Sequence, residues 1–130
     1  MIIYITAFAM LILTSMQSLA HEMTPTYPEL RPSYVDGLYS TNMKLFNRRD
    51  DVDHYRIDVF DEDWNQIPFA SQSKLIKIAY LERTNFEIFI RGDDFDRVEY
   101  ICSTSMIPKS DVGKAAVMSR ICSKIKREEP

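Results

Sequence analysis

The sequence has three glycines, two cysteines, two histidines and one tryptophan in 130 residues, and its first twenty residues contain no Asp, Glu, Lys or Arg. Each scarcity closes off a kind of chemistry. Gly37, Gly92 and Gly113 stand far apart, so no glycine-rich loop cradles a phosphate, and each reads as a turn. A nucleophile elbow and an HExxH metal motif are both missing, since His21-Glu22 alone does not make one. The chain is therefore read as non-catalytic, with no cofactor. Sixteen Lys and Arg against nineteen Asp and Glu leave a net charge of −3 and a pI near 5.4. That balance argues against nucleic acid, which needs a basic excess on one face. There is no internal repeat and no low-complexity linker.

A long apolar run is also missing. Residues 2–16 are apolar, but they fall short of the roughly 20 residues that a membrane span needs. They have the length of a signal-peptide core, and Ser18-Leu19-Ala20 fits the small-x-small rule for cleavage. The expectation is a leader over residues 1–20 and a body over residues 21–130, periplasmic or secreted, with no membrane contact after cleavage. An uncleaved anchor is the alternative, because no Lys or Arg precedes the apolar core. Export implies an oxidising compartment, where Cys102 and Cys122 are expected to pair. Two separate buried thiols are the other reading.

The body has a period-two pattern. A short first strand over residues 31–35 is followed by Tyr39, Met43 and Leu45, then Tyr55, Ile57 and Val59, then Ile76, Ile78 and Tyr80. Phe86, Ile88 and Ile90 mark the next, Val98, Tyr100 and Cys102 another, and Val117, Ile121 and Ile125 the last. About seven strands at this spacing predict an all-β, single antiparallel β-sandwich of immunoglobulin-like form. Residues 21–30, with Pro25 and Pro28, read as an extended lead-in. The acidic groups Asp61, Glu62, Asp63 and Asp93, Asp94, Asp96 read as solvated faces.

Two metal patterns are weak. An N-terminal histidine can chelate copper through imidazole and amine when a second imidazole comes near, which makes His21 and His54 the copper candidates. No clustered Cys, Met or third His joins them, and both are read as structural. Asp61, Asp63 and Asn65 are spaced like the start of a calcium loop, but Gln66 stands where Gly is needed and Gln72 where a bidentate Glu should close the site. Turn formation is the favoured reading, with Trp64 capping the core.

The stretch Asp94-Phe95-Asp96-Arg97-Val98-Glu99-Tyr100-Ile101-Cys102, followed by Met106-Ile107-Pro108, resembles the signature of PapD-like periplasmic pilus chaperones. There an acidic residue precedes an aliphatic-x-aromatic-x-(Asn or Cys) strand; Asp96, Val98, Tyr100 and Cys102 match it, with Ser103 in place of an aliphatic and Pro108 one residue late. Leu81-Glu82-Arg83 lies where the family carries Leu-Glu-Pro-Gly. Ser119-Arg120-Ile121-Cys122-Ser123-Lys124-Ile125-Lys126 is similar to the subunit-capturing strand, and one branch joins that strand to its neighbour by a disulfide.

The resemblance implies a partner polypeptide bound by strand addition along Val117, Ile121 and Ile125. It also implies Arg31 and Lys124 as partners for a terminal carboxylate. It covers roughly residues 30–126, the first domain of such a chaperone, without the second domain and the cleft between them. The alternatives are a structural sandwich module of a virion or cell-surface assembly, and a small copper-binding periplasmic protein. From sequence alone, lysines on an edge strand are read first as protection against unwanted pairing, with a capture site as the second reading.

Overall fold

The structure is a computed structural model that describes residues 20–106 and 118–128. Eight strands form two antiparallel sheets: β1 (Glu22–Thr24), β2 (Arg31–Pro32), β3 (Leu38–Phe46), β4 (His54–Phe60), β5 (Leu75–Lys77), β6 (Arg83–Arg91), β7 (Tyr100–Met106) and β8 (Arg120–Lys124). In the first sheet β3 is central, with β6 along one side and β1 and β2 sharing the other. The second runs β5-β4-β7-β8. Apart from a single turn of 3-10 helix at Gly92–Asp94 there is no helix among the described residues, and none is long and apolar enough to cross a membrane.

Alternation dictates the core. Met43 and Leu45 on β3, Tyr55, Ile57 and Val59 on β4, and Phe86, Ile88 and Ile90 on β6 turn one face inward and are nearly or fully buried. Each fully buried aliphatic stabilises the sandwich by roughly 1.5–3 kcal/mol. The residues between them point to the opposite face, where Lys44 is exposed, Arg56 and Glu87 are half-buried and Asp58 is buried, so both sheets are pinned in register by their own patterns.

Three expectations need correction. The strand expected through Tyr80 stops at Lys77, and Ala79 to Glu82 makes a turn in which Glu82 N–H donates to the Ala79 carbonyl at 3.1 Å. Leu81 holds the turn with φ +62, the position a glycine would fill at less cost, and Tyr80 is exposed. Asp94 is not solvated: it is buried under its own helical turn, held by Arg91 at 2.8 Å and Arg97 at 2.9 Å. Side-chain parity also breaks between Val98 and Ile101, both fully buried and three residues apart. Val98 still enters the core, but within β7 the inward row is Ile101, Ser103 and Ser105, because these residues lie opposite Val59, Ile57 and Tyr55. Tyr100 and Cys102, expected to share the face of Val98, point outward.

Candidate functional site

β8 is the last strand of its sheet. Ser105 N–H donates to the Ser119 carbonyl at 2.9 Å, and Ile125 N–H to the Glu99 carbonyl at 2.8 Å. Odd-numbered residues therefore aim their backbone at β7, and even-numbered ones aim it outward. Part of that outer edge is covered: Lys124 N–H donates to the Thr26 carbonyl at 3.0 Å and Lys126 N–H to the Pro28 carbonyl at 2.8 Å. Towards the other end, the outward amides of Arg120 and Cys122 have no backbone partner among the described residues. Among the described residues, the edge is hydrogen-bonded where the chain after β1 runs beside it and unbonded at its head.

The side chains of the odd row point into the sandwich. Ile125 is in the core, Ile121 is half-buried against it, and Ser123 is buried. Val117 lies outside the described residues. On the outer face, Cys122 is bonded to Cys102 directly across on β7. Arg120 donates to Thr104 Oγ1 at 3.3 Å and lies 5.5 Å from the Phe60 ring centre. Lys124 meets Glu99 at 3.5 Å, and Arg31, on β2 in the other sheet, meets Glu29 at 3.4 Å. No contact between Arg31 and Lys124 occurs among the described residues.

Beneath the head of β8 lies a polar cluster that the pattern of apolar residues did not reveal. His21 is 1% exposed. Its Nε2 is 2.8 Å from Ser103 Oγ and 3.3 Å from the Ser103 carbonyl, and its Nδ1 is 3.2 Å from Ser119 Oγ. A carbonyl only accepts, so these neighbours fit a proton on Nε2, with Nδ1 accepting from the Ser119 hydroxyl. The ring lies 4.5 Å from that of Tyr55. Burial lowers the imidazole pKa to about 4; the bond to the Ser103 backbone opposes this shift and the charge of Arg49 adds to it.

Arg49 enters the same space from the loop between β3 and β4. It grips Asp51 by two bonds, at 2.9 and 2.6 Å, and donates to Ser105 Oγ at 3.3 Å and Ser119 Oγ at 3.5 Å. That hydrogen bond holds Asp51 below the usual carboxylate range and raises Arg49. Ser119 N–H donates to Ser105 Oγ at 2.8 Å. Asn47, fully buried, donates to the carbonyls of Val52 at 2.7 Å and Ile78 at 2.9 Å, and accepts from Arg49 N–H and the Tyr55 hydroxyl. Burial pushes the Tyr55 hydroxyl up to about 12. The alternate serines Ser103 and Ser105, inside an otherwise apolar strand, were the one sequence signal for this cluster.

The metal candidates are placed apart. His54 Nδ1 meets Asp53 at 2.6 Å, while the His21 ring is enclosed by the two serines and Tyr55. Asp61 Oδ1 accepts from Asp63 N–H and Asn65 N–H, each at 2.9 Å, and Asp61 Oδ2 accepts from Asn65 Nδ2 at 3.2 Å. Its oxygens thus fasten a turn. Trp64, at φ +64 in that turn, does not cap the core: it is half-exposed and stacks flat on Tyr100, 4.3 Å away, over the outer face of the sheet.

Two antiparallel sheets packed face to face, with a disulfide-tied edge strand, define an immunoglobulin-like β-sandwich. Three solved structures are similar. The E. coli chaperone DraB shares 16% identity and a TM-score of 0.61, covering 82% of this chain and 53% of that one. The SafB chaperone, solved in complex with the SafA pilin of Salmonella enterica, shares 12% identity and a TM-score of 0.63, covering 85% of this chain and 55% of that one. The periplasmic chaperone SfaE shares 14% identity and a TM-score of 0.51, covering 85% of this chain and 58% of that one. These likenesses show the fold, which is that of a PapD-like pilus-chaperone domain. The chain spans just over half the length of each of these chaperones. No protein-family model matches the chain, and no curated protein matches it in sequence.

Proposed function

We propose that this chain is an exported, non-catalytic binding domain that takes up a strand of another polypeptide along the open head of β8. The observation that carries the reading is the pair of outward amides at Arg120 and Cys122, unmatched among the described residues, on the last strand of the sheet. Main-chain hydrogen bonds to such an edge supply affinity whatever the partner's side chains are. Of the residues expected to line the capture strand, Ile121 is half-buried and offers the apolar contact for the added strand, Ile125 anchors β8 in the core, and Val117 lies outside the described residues. Arg31 and Lys124 would take a terminal carboxylate by exchanging it for Glu29 and Glu99. The fold shared with pilus chaperones supports a polypeptide as the ligand, and the SafB structure contains a pilin.

The export reading takes residues 1–20 as leader and 21–130 as the domain. Burial of the His21 side chain is in keeping with a folded body that begins there. A pull-down from a periplasmic extract tests the function. Recovery of a defined partner that is lost in Ile121→Lys is the expected result; no partner, or one indifferent to that change, rules strand capture out. Sequencing the mature N-terminus tests the leader, and a start other than His21 moves the boundary.

A further inference from the structure

The head of β8 is held by side chains from distant parts of the chain. Ser119, the residue just before the strand, is gripped on its hydroxyl by His21 from the segment leading into β1 and by Arg49 from the β3–β4 loop. Its N–H and carbonyl both bond to Ser105. The open amide of Arg120 is the next residue. Whatever fixes Ser119 therefore fixes where the open edge begins and how it is angled.

We infer that His21 and Arg49 are positioning residues for the open edge of β8, and that the edge keeps its binding shape only while the His21 imidazole is neutral. The inference rests on the reading of β8 as the binding edge. In the neutral ring Nδ1 accepts from the Ser119 hydroxyl, leaving that oxygen to accept from Arg49. A second proton would turn Nδ1 into a donor. The Ser119 oxygen would then face two cationic donors, and its own hydrogen would have only Ser105 Oγ, at 3.4 Å, to go to.

The groups around the ring offer little compensation. From the β3–β4 loop come Arg49 and Asp51, whose carboxylate is already taken by both arms of Arg49. From β4 comes Tyr55, its hydroxyl bonded to Asn47, with Asp53 near enough to act on that hydroxyl. From β7 come Ser103 and Ser105, and from β8 only Ser119; Glu22 faces solvent on Arg48. No uncommitted carboxylate faces the ring among the described residues, so protonation works directly against the contact that holds the head of β8.

Amide hydrogen exchange on the full chain tests this without any partner. In His21→Phe the Ser119 and Ile121 amides should exchange about tenfold faster at neutral pH, with Ile57 and Ile88 unchanged. His21→Gln, which keeps one donor and one acceptor, should restore slow exchange. In the unaltered protein the same two amides should lose protection as the pH falls from 6.5 towards 4, whereas in His21→Gln they should not. Should His21→Phe fail to fold, Ser119→Ala gives the same readout with a smaller change. Unchanged exchange at Ser119 and Ile121 in a folded variant overturns the positioning role. Capture of a synthetic peptide of alternating valine and threonine supplies the second arm. Loosening of the head with undiminished capture overturns the link to binding, and no capture by the unaltered protein removes the strand-binding reading while the exchange result stands.

Discussion

The Lys124 amide donates to the Thr26 carbonyl at 3.0 Å, which places the stretch after β1 along one half of the β8 edge and leaves the other half without a backbone partner among the described residues. On the proposed reading, an added strand would have about two residues of ready main chain, Arg120 and Cys122, before meeting this cover. Extension beyond them requires either the residues before Ser119 or displacement of Thr26.

Arg120→Pro is expected to separate folding from binding. The lost N–H faces outward, so no main-chain bond to β7 is broken and only the side-chain bond from Arg120 to Thr104 Oγ1 goes, and proline on such an edge is tolerated. Circular dichroism and melting temperature should stay close to those of the unaltered protein while partner recovery disappears. Ile121→Pro removes a ladder bond to β7 as well as a half-buried side chain, so its melting temperature should fall clearly below that of Arg120→Pro. Equal recovery by Arg120→Pro and the unaltered protein would show that the edge is not the binding surface.

Acid should weaken the fold through His21. Its folded pKa, about 4, lies below the ordinary imidazole value of 6.5, so the unfolded state binds a proton that the folded state refuses. Stability is then fully present above about pH 6.5 and falls as the pH drops towards 4. The limit of this loss is about 3 kcal/mol. Urea unfolding at pH 7 and pH 4.5 measures it, and His21→Gln should show a shallower decline. Parallel declines in the two proteins would assign the acid sensitivity to carboxylates instead.

Reduction of Cys102–Cys122 opens a loop whose ends are 20 residues apart in sequence. The chain-entropy estimate for such a loop is roughly 3 kcal/mol, so the melting temperature should fall by about 10 °C or more in a domain of this size. Calorimetry with and without reductant checks this. A shift under about 2 °C would mean that β8 stays docked by packing alone.

Asn47→Ala removes a side chain that satisfies two carbonyls, an amide and a hydroxyl, all buried. Leaving several such groups unmatched should cost on the order of 3 kcal/mol, against roughly 1 kcal/mol for Ile88→Val in the core. Chemical denaturation of the two variants compares them directly, and a smaller loss in Asn47→Ala would show that water replaces the amide.

Much of the sandwich could be read from alternation, because residues two apart on a strand share a face whatever the rest of the chain does. Met43 and Leu45, Tyr55, Ile57 and Val59, and Phe86, Ile88 and Ile90 all fell on the inward face as expected. The pairing of Cys102 with Cys122 was also expected, from the oxidising compartment that the proposed leader would imply. β7 was misread at its start, since parity breaks between Val98 and Ile101 and two of its inward positions are serines. Polar residues carry no inward signal of their own; Ser103 and Ser105 belong inside only because His21 and Arg49 arrive there to bond with them.

The sequence by itself thus determined the strands, the sandwich and the disulfide, since these follow from local periodicity and from two cysteines. Only the tertiary structure decided that half of the β8 edge is covered by Thr26 and Pro28, and that His21 lies in the interior against Ser119. Those contacts join residues about a hundred positions apart, and their free energy exists only once both sheets have closed around them.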